Sequence, residues 1–228
     1  MAPAHTDKLF DEQLDRLTSS IGAMGEFAIS QVDDAVRALI ARDVTLANRI
    51  VEQDHMIDSL RRDLSASVAL VIAQRQPLAS DLDEILADLR IVEDLERVGD
   101  LAKNIARRTN SLSESGFPEE LTLSVNDLSR QCNAQLRNAV GAFLHRDAGR
   151  ARDVKLLDDP IDQKHHDIVD RVIELMKIER LEIGDYVHLL FCVKNVERIA
   201  DHAVNIAEAA HLKSTGRPIG PVTSLNAG

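Results

Sequence analysis

The chain has 228 residues, 44% hydrophobic but only 3% aromatic, with 10 Gly and 6 Pro. That is enough apolar material for a packed core and too little Val, Thr, Tyr and Gly-rich turn sequence for a sheet architecture. Its 27 Lys and Arg against 38 Asp and Glu leave a formal charge of -11, which excludes a broad nucleic-acid or anionic-membrane surface and favours cations or basic partners. The longest apolar runs, such as Val68 to Ala73, are too short to cross a bilayer, and Met1 to Phe10 lacks the apolar stretch of a signal peptide. The expectation is a cytoplasmic protein in which Cys132 and Cys192 are free buried thiols.

Helical periodicity and its punctuation predict six helices. The first runs from about Asp7 to Ala41, and Asp43 caps the second, which Pro77 ends after Gln76. Ser80 is placed to cap the third, which reaches about Leu112, and Ser111 to Pro118 reads as a linker. A fourth helix runs from Glu119 to Arg146, Asp147 caps a fifth that Pro160 should kink, and Gly184-Asp185 marks the turn into a sixth ending near Lys213. The fold class is therefore all-α, two tandem three-helix bundles: 1–112, a linker at 113–118, 119–213, and a loose tail at 214–228.

The halves are copies of one unit. Arg42-Asp43 recurs as Arg146-Asp147, and Asp54, Ile57 and Asp58 recur as Asp158, Ile161 and Asp162, each 104 positions later. Glu96-Arg97-Val98-Gly99-Asp100 with Asn104-Ile105-Ala106 recurs as Glu197-Arg198-Ile199-Ala200-Asp201 with Asn205-Ile206-Ala207, 101 positions later. Loop lengths differ while the helical cores correspond, which is the pattern of a duplication.

The repeated polar residues sit where a core would be. Glu96, Asp100 and Asn104 fall within an arc of about 80° on one helix, and the same face continues backward as Val92, Leu89 and Ile85. The second copy matches it, with Val193, Leu190 and Tyr186 preceding Glu197. If the second and third helices form an antiparallel hairpin about Pro77, residues whose numbers add to 154 lie level, so Asp58 faces Glu96 and Asp54 faces Asp100. In the second unit a sum of 359 sets Asp162 opposite Glu197 and Asp158 opposite Asp201.

Four convergent carboxylates repel one another, at about 0.2–0.5 kcal/mol for each exposed i,i+4 pair and more when buried. Two devices can quiet them. One is a hard cation, Mg²⁺ or Mn²⁺, or iron; without paired Cys or His ligands the set does not suit structural zinc. The other is ion pairing with Arg97, Arg198, Lys103 and Lys194.

The Glu-Arg-x-x-Asp-x-x-x-Asn-Ile-Ala signature, paired with Asp-x-x-Ile-Asp on the preceding helix, resembles the PhoU family of phosphate-transport regulators over residues 7 to 213. The resemblance implies metal-facing acids at Asp54, Asp58, Glu96, Asp100, Asp158, Asp162, Glu197 and Asp201, with Asn104 and Asn205 as further candidates. It also implies negative control of the phosphate-starvation response, with a phosphate ABC transporter, through its ATPase component, and a membrane-associated sensor histidine kinase as partners. Long helix faces suit a homodimer.

Glu52-x-x-His55 and Glu208-x-x-His211 have the spacing of di-iron carboxylate bundles but occupy non-equivalent repeat positions, so they cannot face each other. His165 and His166 point about 100° apart and cannot share an ion. No Gly-rich phosphate loop or nucleophile triad is present. The expectation is a binding protein and not an enzyme; a metal-dependent carboxylate-bundle enzyme and a metal-free helical adaptor are the rival readings.

Overall fold

The computed structural model describes residues 4–75, 79–112, 116–178 and 183–220. These contain seven helices and no strand: α1 (Ala4–Ala41), α2 (Val44–Arg75), α3 (Ala79–Thr109), α4 (Glu119–Leu144), α5 (Ala148–Leu156), α6 (Asp158–Ile178) and α7 (Ile183–Thr215). Pro77, the middle of the predicted linker and the tail beyond Gly220 lie outside the described residues, as does the Ser80 side chain. The seventh helix arises because the predicted fifth is severed, not bent. A residue at position 160 would donate its N–H to the Leu156 carbonyl, and proline has no N–H and crowds that carbonyl. The chain accordingly closes a tighter turn, Leu157 N–H to Val154 C=O at 3.2 Å, and a new helix starts at Asp158.

α2 packs on α1 and α3, and α5 and α6 pack on α4 and α7, giving two three-helix units; α1 meets α4 and α3 meets α7 to join them. Burial follows position in this arrangement. The outer helix α2 buries a narrow stripe, Ala47, Ile50, Ile57, Leu64, Val68 and Val71. The inner helix α7 is covered on two sides and buries Leu189, Cys192, Val193, Val196, Ile199, Ala200, Ala203, Ile206, Ala207 and Ala210. One continuous core results. Small residues set the spacing at the α1–α4 crossing, where a Cβ at Gly25 would stand 2.9 Å from Val140 Cγ1.

The repeated Arg-Asp pair has a structural meaning. Arg42 and Arg146 both adopt positive φ, 52° and 50°. Behind them Asp43 N donates to Ala38 O, and Asp147 N to Ala142 O, both at 2.9 Å, the closure of a Schellman turn. The aspartate then caps the next helix: Asp43 Oδ1 accepts from Leu46 N and Asp147 Oδ1 from Arg150 N, both at 2.9 Å. Glycine is the usual left-handed residue, and arginine there costs about 1–2 kcal/mol. The arginine side chains explain the choice. Arg42 Nη1 lies 3.0 Å from Asp185 Oδ2 with its guanidinium 4.5 Å above the Phe117 ring, and Arg146 Nη2 lies 2.8 Å from Glu84 Oε2. Glu84 and Asp185 are themselves repeat counterparts, so one ion pair is made twice, each time from one unit to the other.

A second tie crosses the boundary without a counterpart. Lys213, 5% exposed, pairs with Asp88, 0% exposed, between α7 and α3, and its ammonium stands 4.9 Å from the centre of the Phe143 ring. α7 ends at Thr215, close to the predicted end near Lys213. At its C-terminus His211 Nδ1 meets the Arg217 carbonyl at 3.0 Å, which folds the first residues of the predicted tail back onto the helix.

The two reciprocal pairs differ in burial: the Arg42 and Asp185 side chains are 15% and 9% exposed, those of Arg146 and Glu84 54% and 31%. Arg42→Ala should therefore cost about 3 kcal/mol by stripping a buried carboxylate of its cation, and Arg146→Ala less than about 1 kcal/mol. Urea unfolding of the two variants measures the difference, and equal losses would show that burial does not set it.

Candidate functional site

The acids are brought together by close packing beneath them. Ile57 lies between Asp54 and Asp58 on α2, and Gly99 lies between Glu96 and Asp100 on α3. A Cβ at Gly99 would stand 2.7 Å from Ile57 Cδ1, so the two helices nearly touch at this level and the four carboxylates flank the contact. In the second unit buried Ile161 and Ala200 take these places.

In the first unit the protein supplies its own cations. Lys103 Nζ stands 2.7 Å from Asp54 Oδ2 and 2.5 Å from Asp100 Oδ1, tying α2 to α3 through one ammonium. Burial disfavours its charge, but the hydrogen bonds to Asp100 and Asp54 outweigh that and raise its pKa. Arg61 approaches Glu96 at 3.6 Å and Glu93 at 3.7 Å, and Arg97 reaches Asp100 at 3.4 Å. Glu96 is 9% exposed and its pKa is raised, first by burial and then by the Asp100 charge. Ion pairing by Lys103 and Arg97, one of the two devices expected from sequence, is therefore in place here.

The second unit has the same acids and fewer cations. Asp158 sits in the first turn of α6 beside Asp162, and both feel Asp201 on α7. The Asp158 pKa is raised by burial and then by Asp162; that of Asp201, open on its outer side, by partial burial and then by Glu197. Lys194, 52% exposed, reaches Glu197 at 2.5 Å from the solvent side. Arg198, the other anticipated cation, is exposed. Asp158 Oδ1 is buried without a hydrogen-bond partner.

Three residues set aside or unnoticed in the sequence belong here. His165 faces Glu197 and Asp162, and burial lowers its pKa, keeping the imidazole neutral. Gln135, 0% exposed, hydrogen-bonds Asp158 and donates to the Val154 carbonyl at 3.1 Å, while its Oε1 has no partner. Cys132 lies under the cluster, its thiol pushed up to about 12 by burial and then by Glu197 and Asp158. The asparagines stand apart. Asn104 is exposed, and Asn205 turns its amide to Asp94 Oδ1 at 3.3 Å, across the unit boundary. The two Glu-x-x-His histidines make local bonds, His55 Nδ1 to the Glu52 carbonyl at 2.5 Å and His211 to Arg217.

Such oxygen-rich groups can neutralise a cation or move protons at raised pKa. Among the described residues no three His, Cys, Asp or Glu side chains already stand in the arrangement of a formed metal site, so an ion would have to draw its ligands inward. None of the described helices is long and apolar enough to cross a membrane.

The fold has known relatives. The PhoU domain profile matches twice, at residues 21–109 and 125–210. The chain is 38% identical to a Rhizobium meliloti protein named phosphate-specific transport system accessory protein PhoU homolog, over 95% of this chain and 91% of that protein. A Caulobacter vibrioides protein of the same name is 37% identical, over 94% of each. The crystal structure of PhoU from Pseudomonas aeruginosa superposes with a TM-score of 0.86 at 33% identity, covering 91% of this chain and 100% of the other. The phosphate transport system regulatory protein PhoU from Streptococcus pneumoniae gives 0.85 at 27% identity, covering 93% and 100%. With both units matched and the helical plan shared end to end, the chain belongs to the PhoU family.

Proposed function

We propose that this protein is an accessory component of a phosphate transport system that restrains phosphate uptake and the phosphate-starvation response when phosphate is plentiful. In this reading it works in the cytoplasm, as a homodimer, between the ATPase component of a phosphate ABC transporter and a sensor histidine kinase. The names of its relatives support the transport role. Its mechanism is binding: cations held between paired helices stiffen them and shape the faces that partners read. The buried thiols, both pushed up to about 12, favour this over nucleophilic chemistry.

The observation that carries the metal part is the carboxylate cluster built twice between core-packed helices. The residues fit a cation: Asp158 Oδ1 and Gln135 Oε1 are buried polar atoms awaiting a partner, and the donor set is rich in oxygen. Asp158, Asp162, Glu197 and Asp201 would hold the ion in the second unit, and Asp54, Asp58, Glu96 and Asp100 are their counterparts in the first. Mg²⁺, Mn²⁺ or iron would supply positive charge there.

Deletion of the coding sequence should switch on a phosphate-starvation reporter in phosphate-rich medium, and the wild-type chain should restore repression. Pull-downs should recover the transporter ATPase and the kinase. Unchanged reporter output on deletion would defeat the regulatory reading.

The raised carboxylates also predict a pH dependence for protein stripped of divalent ions. A carboxyl whose folded pKa lies above its unfolded value binds more protons folded than unfolded, so its stabilisation is complete below the unfolded value and is lost as pH rises through the folded one. For Glu96, Asp158 and Asp201 that window opens at 4.5, 3.8 and 3.8 and extends upward. The melting temperature of the stripped protein should fall as pH is raised through this window, and Mn²⁺ added at the upper end should restore it. A melting temperature that rises throughout the window would contradict the assignment.

A further inference from the structure

The two clusters are not equivalent, and the difference lies in the residues around the acids. The 104-residue offset carries Arg61 to His165, and the 101-residue offset carries Lys103 to Val204 and Glu93 to Lys194. In the first unit Lys103, 15% exposed, places its ammonium between Asp54 on α2 and Asp100 on α3, the position an ion linking the helices would take. Arg61 and Arg97 add two further positive charges, so four carboxylates face three cations. In the second unit Val204 offers no charge and His165 is a neutral nitrogen donor, leaving Lys194, with His202 near Asp201, to face four carboxylates.

Each cluster has buried carboxylate oxygens without a hydrogen-bond partner, Asp54 Oδ1 and Glu96 Oε2 in the first and Asp158 Oδ1 and Glu197 Oε2 in the second, but only the second adds an uncharged one. Asp158 Oδ1 has no partner, and beneath it the wholly buried Gln135 presents an unpartnered Oε1. Both Gln135 and its counterpart Gln31 donate their amides, to the Val154 carbonyl and to Gln53 Oε1 at 3.0 Å, but only Gln135 leaves a buried oxygen without a partner. The break before Asp158 that Pro160 imposes also leaves that residue in the first turn of a helix instead of inside one, where its carboxylate is less confined by helix geometry.

We propose that metal binding in this protein is one-sided: Lys103 is a built-in substitute for the ion in the first unit, and the second unit alone takes a metal. There Asp158, Asp162, Glu197 and Asp201 supply oxygen and His165 supplies nitrogen. The mixed donor set selects a first-row transition metal such as Mn²⁺ or Fe²⁺ over Mg²⁺, which prefers oxygen and water. This rests on the cation reading above.

The test is equilibrium dialysis of chelator-treated full-length protein against Mn²⁺, Fe²⁺ under anaerobic conditions, and Mg²⁺, with metal content and circular dichroism read on each sample. The wild-type chain should take up Mn²⁺ and Fe²⁺ in preference to Mg²⁺. Asp158→Asn with Glu197→Gln should weaken uptake about tenfold or more, and Asp54→Asn with Asp100→Asn should leave it unchanged. Lys103→Met should open the first unit and raise the metal content. His165→Arg, which installs the first unit's residue, should abolish transition-metal uptake while the helical spectrum persists. Loss from the first-unit pair equal to that from the second would overturn the one-sided assignment and leave the cation reading standing. No uptake of any of the three ions by either the wild-type chain or Lys103→Met would remove both.

Discussion

The structure is organised around a conflict between packing and charge. α2 and α3, and again α6 and α7, lie against each other along apolar faces, and each face carries two carboxylates in line with its core residues. Gly99 against Ile57 brings the first pair of backbones so close that the acids cannot splay apart without giving up core contact. Burial then raises the pKa of Glu96, Asp158 and Asp201, which is the signature of negative charge held where water cannot fully screen it. In the first unit the ammonium of Lys103 answers this repulsion and links α2 to α3.

The same economy of repetition explains how the units join. The left-handed arginines 42 and 146 end the first helix of each unit and reach into the other, to Asp185 and Glu84. A glycine would fit the backbone better, yet it would remove the cross-unit ion pair. Duplication followed by face-to-face packing yields such reciprocal contacts without further design, because any bond from the first unit to the second is offered again in reverse. The buried Lys213–Asp88 pair departs from that symmetry; it and the divergent surroundings of the acids mark where the copies have drifted apart.

Much of the site was legible because helix geometry is regular. Equal rise along two antiparallel helices is enough to set Asp54 level with Asp100, and the structure joins them through Lys103. Asn104 and Asn205 illustrate the limit: they continue the same angular arc, but the neighbouring unit decides their environment, and Asp94 claims Asn205. His165 and His166 cannot share an ion, yet His165 by itself faces Glu197 and Asp162. The repeat offset alone sets His165 against Arg61 and Val204 against Lys103.

The sequence by itself determined the helical class, the duplication, the caps at Asp43 and Asp147 and the faces on which the acids lie. Each of these depends on local periodicity or on short-range hydrogen bonding. Tertiary structure decided which acids the protein neutralises itself and which it leaves wanting. Charge pairing between helices depends on interaxial distance, on side-chain reach and on burial, and those are set only when Ile57 meets Gly99, when Gln135 slides beneath Asp158, and when Pro160 forces a new helix to begin there.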